Sequence, residues 1–133
     1  MNLPNQDRKT RGLICEGAND WHVASHLLKK RRISTDSIDA LQAGSADQVL
    51  SAINVKLKQP ALERLAIIID ADNGVERTYG RVAHEFDAAG IRLPTSLPTQ
   101  GLIQEEAGKT VGVWVMPNCQ DAGSLEEFVA TLA

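Results

Sequence analysis

Short apolar runs alternate along this chain with stretches in which apolar residues recur at helical spacing. Gly12-Leu13-Ile14-Cys15 is the first run and ends at Glu16-Gly17, which reads as a strand followed by a turn. From Asp20 to Arg31, Val23, Ala24, Leu27 and Leu28 share one helical stripe; Asn19 or Asp20 can cap the start, and Lys29, Lys30, Arg31 and Arg32 suit the negative end. Ser37 to Leu41 reads as a second strand. Ser45 and Gln48 then form a capping-box pattern before Val49, Leu50, Ile53 and Leu57, and Pro60 closes that helix.

Leu65 to Ile69 is the most apolar run, and its β-branched content predicts a central strand covered on both faces. The next helix spans Glu76 to Ala89, with Tyr79, Val82, Ala83 and Phe86 inward and Gly90 at its C-terminal cap. Leu102 to Gln104 and Val111 to Met116 read as two strands joined by a turn at Ala107-Gly108. Ser124 and Glu127 make a second capping box, opening a last helix through Phe128 and Val129. The alternation predicts an α/β fold of three layers: a mainly parallel central sheet, helices on both faces, and one antiparallel edge hairpin.

Composition narrows the classes. The chain has 133 residues, enough for one domain with one core, and only 4% are aromatic, so that core must rest on Ile, Leu, Val and Ala. Residues 1–10 form a polar tail and 11–133 the domain. The tail lacks the apolar stretch of a signal peptide and no later run could span a membrane, which predicts a cytoplasmic protein. Cys15 and Cys119 form no C-x-x-C pair and read as unbridged thiols, Cys15 buried in its strand. A net charge of −3 gives no global reason to bind nucleic acid, so a polyanion would need local basic patches or a metal ion.

The candidate chemistry is acidic. In an open α/β sheet ligands gather where strands end and helices begin. Glu16 stands at the end of the first strand; Asp70 and Asp72 stand at the end of the strongest, just before Gly74. Residues two apart in an extended segment point the same way, so Asp70 and Asp72 can share a ligand. Carboxylates gathered in one place repel unless a cation neutralises them. Mg²⁺ prefers hard oxygen ligands and takes one or two carboxylates with water and phosphate. The structural alternative makes Asp70 and Asp72 turn or cap residues of the next helix.

These residues also carry a resemblance. Leu13-Ile-Cys-Glu-Gly-Ala-Asn-Asp20 before a helix, then Ile67-Ile-Ile-Asp-Ala-Asp72, resembles the Toprim domain of topoisomerases, bacterial primases and OLD-family nucleases. Gly112-Val-Trp-Val-Met-Pro-Asn118 and Gly123-Ser-Leu-Glu-Glu-Phe128 resemble, more narrowly, an uncharacterised prokaryotic Toprim-like family. The likeness runs from about Arg11 to Phe128. It implies a Toprim, Rossmann-like fold and Mg²⁺- or Mn²⁺-dependent phosphodiester chemistry on nucleic acid. It gives Glu16 the catalytic acid/base or ligand role, Asp70 and Asp72 the metal, and Glu126 a further place on that metal. Glu127 is the capping-box partner of Ser124, which leaves Glu126 the freer carboxylate. Two departures stand out: Tyr79, the only tyrosine, lies on an inward stripe and offers no topoisomerase nucleophile, and members of the resembled family usually continue further, so the resemblance implies either a fragment or a shortened variant.

Among basic residues, Arg77 and Arg81 lie one turn apart at the start of the helix after Asp72 and are the candidate nucleic-acid contacts, with Lys109 as a third. Lys29 to Arg32 end a helix that runs roughly 18 Å away from the acidic residues and read as a solvated rim. His22, His26 and His84 show no H-E-x-x-H pattern, and Trp114 reads as core. The competing reading is an inactive Toprim-like module that binds a nucleotide or a partner protein, or pairs with itself. A receiver-type phospho-acceptor ranks below both, because Val115-Met116-Pro117 supplies no lysine after the late strand.

Overall fold

The computed structural model describes residues 10–30, 32, 38–70, 74–98, 101–106 and 108–116. In chain order its elements are β1 (Arg11–Cys15), α1 (Ala18–Lys30), β2 (Asp39–Gln42), α2 (Ala46–Leu57), β3 (Arg64–Asp70), α3 (Val75–Ala88), β4 (Leu102–Glu106) and β5 (Lys109–Met116). The strands form one sheet in the order β2-β1-β3-β5-β4. The pairs β1–β2, β1–β3 and β3–β5 are parallel, and β4 runs antiparallel to β5 at one edge. The expected α/β architecture is therefore the observed one.

Strand β3 sits in the middle because its residues are apolar on both faces. Leu65, Ala66, Ile67, Ile68 and Ile69 are all buried. Leu65, Ile67 and Ile69 join a cluster with Val49 and Ile53 of α2 and Tyr79, Val82 and Phe86 of α3. Ala66 and Ile68 join the opposite cluster, with Leu13, Cys15, Trp114 and, from α1, Ala24 and Leu28. Period-two alternation thus feeds two cores from one strand. Each such Ile or Leu, fully removed from water, contributes on the order of 1.5–3 kcal/mol.

The helix starts and stops follow local chemistry. Ser45 caps α2, its hydroxyl accepting from the Gln48 amide at 3.2 Å. After α3, Ile91 N–H donates to Phe86 O at 2.9 Å and Gly90 N–H to Asp87 O at 3.0 Å, so the cap falls on Ala89 with Gly90 just beyond it. In α1 the buried stripe is Ala24 and Leu28 with half-buried Trp21. Val23, assigned inward by spacing alone, is 49% exposed. The helix begins at Ala18, two residues before the expected start, so Asn19 and Asp20 lie within its first turn rather than before it. Strand β2 lies one to two residues later than Ser37–Leu41. Cys119, the second capping box and the last helix lie outside the described residues. No described helix is long and apolar enough to cross a membrane.

Gly101 precedes β4 at φ +97°, and a Cβ there would overlap the indole ring of buried Trp114. Gly80, on the exposed side of α3, faces open space. Gly101→Ala is expected to lower unfolding free energy by about 2–4 kcal/mol, combining backbone strain with overpacking. Gly80→Ala is expected to raise it by up to about 1 kcal/mol through helix propensity. Urea denaturation of the two variants beside the parent checks both signs.

Candidate metal centre at the strand ends

The chain leaves β1 toward β2 on one side and returns to β3 on the other, so the β1/β3 boundary is the point where strand order reverses. Crevices outside the carboxyl ends of strands at such a point receive ligands in α/β folds. Glu16 directly follows β1, and Asp70 is the last residue of β3. Cys15 pairs with Ile68, so Glu16 and Asp70 stand one register step apart on neighbouring strands. With a rise of 3.3 Å and a strand spacing of 4.8 Å, their backbones lie roughly 6 Å apart.

The pleat adds a constraint. Asp70 follows the face of Ile68, which packs toward α1, whereas Glu16 lies in the bend just past β1, where the carbonyls of Cys15 and Glu16 both accept from the β2 side. Glu16 is half-buried, with Oε1 shielded from solvent, and its carbonyl accepts from Gly44 N–H at 2.7 Å. Asp70 is also half-buried.

Three helices begin at this rim. α1 starts after Gly17, α2 after Ser45 and α3 after Gly74, so three positive dipole ends point toward the carboxyl edge. Such ends stabilise carboxylates and attract phosphate oxygens. Gly74 holds φ +101°, a conformation that side chains rarely adopt, and both it and Gly17 have nothing within 4 Å of a would-be Cβ. Among the described residues nothing crowds the backbone at these two glycines.

Two cavities lie next to α3. A 340 Å³ pocket at its N-terminal end is lined by Val75, Glu76, Tyr79, Thr95, Ser96 and Leu97. Tyr79 anchors the loop that forms its far wall, its hydroxyl donating to Pro94 O at 2.6 Å. A 500 Å³ groove between α2 and α3 includes Arg77, Arg81, His84, Asp47 and Glu85. Arg77 and Arg81 are exposed, as their place off the apolar stripe predicts. Arg81 pairs with Asp47 at 2.6 Å across this groove. Both side chains are largely in water, so the pair contributes at most about 1 kcal/mol and can exchange for another anion. Nothing in the sequence signals that contact, since 34 residues separate its members.

Lys109 belongs elsewhere. It opens β5, which runs parallel to β3, and so lies at the amino-end rim, about 20 Å from Asp70 by strand length. Its ammonium donates to Leu62 O at 2.6 Å. Of the expected site residues, then, Glu16 and Asp70 stand at the ends of neighbouring strands, Arg77 lies in the first turn of α3, and Lys109 lies at the opposite rim. Asp72 and Glu126 lie outside the described residues. Among the described residues no group of three or more His, Cys, Asp or Glu could hold a metal ion.

A family model described as a protein of unknown function, DUF3226, matches residues 10–133. The chain belongs to that family. No curated protein and no solved structure matched the chain. The DUF3226 match takes in both described carboxylates, Asp72, Glu126 and every strand of the sheet.

Tyr79 gives a direct optical check on this geometry. Burial raises its phenol above the ordinary value of 10.0 by disfavouring the phenolate. A folded-state pKa above the unfolded one adds stability that is complete below pH 10 and is lost as pH rises through the folded value. As the only tyrosine, Tyr79 should show phenolate absorbance at a higher pH in folded than in urea-unfolded protein. Tyr79→Phe should lower stability by roughly 0.5–1.5 kcal/mol at neutral pH and flatten its alkaline decline.

Proposed function

We propose that this chain carries a Mg²⁺- or Mn²⁺-dependent site acting on phosphodiester bonds of nucleic acid, at the carboxyl ends of β1 and β3. The observation that carries this reading is the pair Glu16 and Asp70, one register step apart at the strand-order reversal, beneath three helix N-termini. The donor chemistry fits a hard divalent ion: two carboxylates with remaining positions for water and phosphate are what Mg²⁺ ordinarily takes. Asp70 would hold the ion, with Asp72 and Glu126 as the further ligands that the Toprim resemblance implies. A bound ion would neutralise phosphate charge and lower the pKa of a coordinated water.

The protein's own groups then have distinct tasks. Glu16, half-shielded at the rim, would take or return the proton of the attacking or leaving oxygen. The dipole ends of α1, α2 and α3 would orient the phosphate from the open side of Gly17 and Gly74. Arg77, exposed in the first turn of α3, would contact a neighbouring phosphate. Arg81 would do so after exchanging Asp47 for that phosphate.

A second reading has one observation in its favour. The net charge of −3 gives no general attraction for a nucleic-acid substrate, which suits a module that binds a nucleotide or a protein without cleaving anything. Metal binding without cleavage, followed by calorimetry and gel assays on single- and double-stranded substrates, would select it.

For the nuclease reading, Glu16→Gln should lower Mg²⁺-dependent cleavage by about 10²–10⁴-fold while leaving metal affinity largely intact. Asp70→Asn should weaken the metal itself, and chelation should abolish cleavage by the parent. Cleavage that survives both substitutions sinks the assignment. Arg77→Ala should weaken nucleic-acid binding and reduce its salt slope by about one, whereas Lys109→Ala should change neither.

A further inference from the structure

The two edges of the sheet are built differently. Strand β4 carries Glu105 and Glu106, and the segment at Arg92 covers part of it: Arg92 N–H donates to Glu106 Oε2 at 2.8 Å and Gln104 Nε2 donates to Arg92 O at 2.9 Å. Charge and cover of this kind protect an edge from pairing with another chain. Strand β2, at the other edge, carries one charged residue, Asp39, whose charge is taken up by Lys56 of α2. Ala40, Leu41 and Gln42 are exposed. Ala43 N–H donates to Cys15 O at 2.8 Å, so alternation along the strand turns the amides and carbonyls of Ala40 and Gln42 outward.

The helix face above this edge carries one charged side chain. A 310 Å³ groove between β2 and α2 is lined by Leu41, Gln48, Ser51, Ala52, Val55 and Lys56. Leu41 is 37% exposed and Val55 64%. The single cation, Lys56, is buried and bonded to Asp39 at the start of β2, so the ion pair cancels at the rim of the patch. On a chain of net charge −3, this is a neutral, apolar surface with open backbone groups, the condition for a surface to face a copy of itself.

We propose that β2 pairs antiparallel with β2 of a second copy of this chain, joining two sheets into one across a two-fold axis at Leu41. The outward groups dictate this register. Ala40 and Gln42 would exchange backbone hydrogen bonds with the partner's Gln42 and the partner's Ala40. Leu41 would lie opposite the partner's Leu41 as a non-hydrogen-bonded pair, where side chains come closest. Asp39 would face the partner's Ala43, so no like charges oppose. Both α2 helices would share one face, meeting through Ala52 and Val55. The antiparallel arrangement points the two carboxyl rims in opposite directions, so this association stands apart from the chemistry proposed there.

Sedimentation of the full chain, with circular dichroism as a check on folding, should give twice the chain mass for the wild type. Leu41→Lys, which opposes two ammonium groups at the axis, should sediment as a folded monomer. Ala40→Pro should do the same, since it removes only an outward N–H and leaves the ladder to β1 intact. A non-hydrogen-bonded pair sets the two Cα atoms about 4.5 Å apart, within reach of a disulfide. Leu41→Cys should therefore cross-link to a covalent dimer under mild oxidation, whereas Val23→Cys, more accessible on α1, should not. A wild type that remains monomeric at its highest soluble concentration overturns the proposal. So does a dimer that survives Leu41→Lys or fails to cross-link through Leu41→Cys.

Discussion

Everything in this fold depends on β3 being apolar on both faces. A strand held between two parallel neighbours and covered above and below can carry no polar side chain along its middle without an unmet desolvation cost. Polar residues are therefore confined to its ends, and β3 has Arg64 at one and Asp70 at the other. The same rule governs β1, with Arg11 before and Glu16 after its buried residues. Because the two strands run parallel, both acidic ends reach one rim and both basic beginnings reach the other. A carboxylate pair at one end of the molecule is thus a consequence of how the core is filled.

Charge elsewhere is distributed with similar economy. Lys56 is almost wholly buried, a state tolerable only because Asp39 accepts from its ammonium. Lys109 spans the amino-end rim to the Leu62 carbonyl, helping to seal the end of the sheet that carries no candidate chemistry. Arg81 and Asp47 balance each other across the α2–α3 groove in full contact with water. An exposed pair of this kind is weak enough to exchange for another anion, unlike the buried Lys56–Asp39 pair.

Much of the fold could be read from the chain because its local signals agreed. Val49, Leu50, Ile53 and Leu57 are all buried beneath the Ser45 cap that spacing anticipated, and the β4–β5 hairpin turns next to Gly108. Val23 failed because one helical stripe can be drawn slightly too wide; only packing shows which edge of it meets the sheet. Lys109 lies away from the acidic pair for a different reason. Proximity to a turn says nothing about which end of the sheet the turn occupies until strand order and direction are known. The Asp47–Arg81 and Tyr79–Pro94 contacts join segments whose separation leaves no trace in periodicity, whereas the places of Glu16 and Asp70 at strand ends followed from the apolar runs that precede them.

The division of the interior into two layers also distributes the chromophores. Trp114 is buried and Trp21 half-buried in the layer beneath α1, while Tyr79 lies in the layer beneath α2 and α3. Indole emission therefore reports on one side of the sheet and phenol absorbance on the other. A disturbance that loosens α1 alone would redden the first signal and leave the second unmoved, so the molecule distinguishes one-sided fraying from global unfolding without any added label.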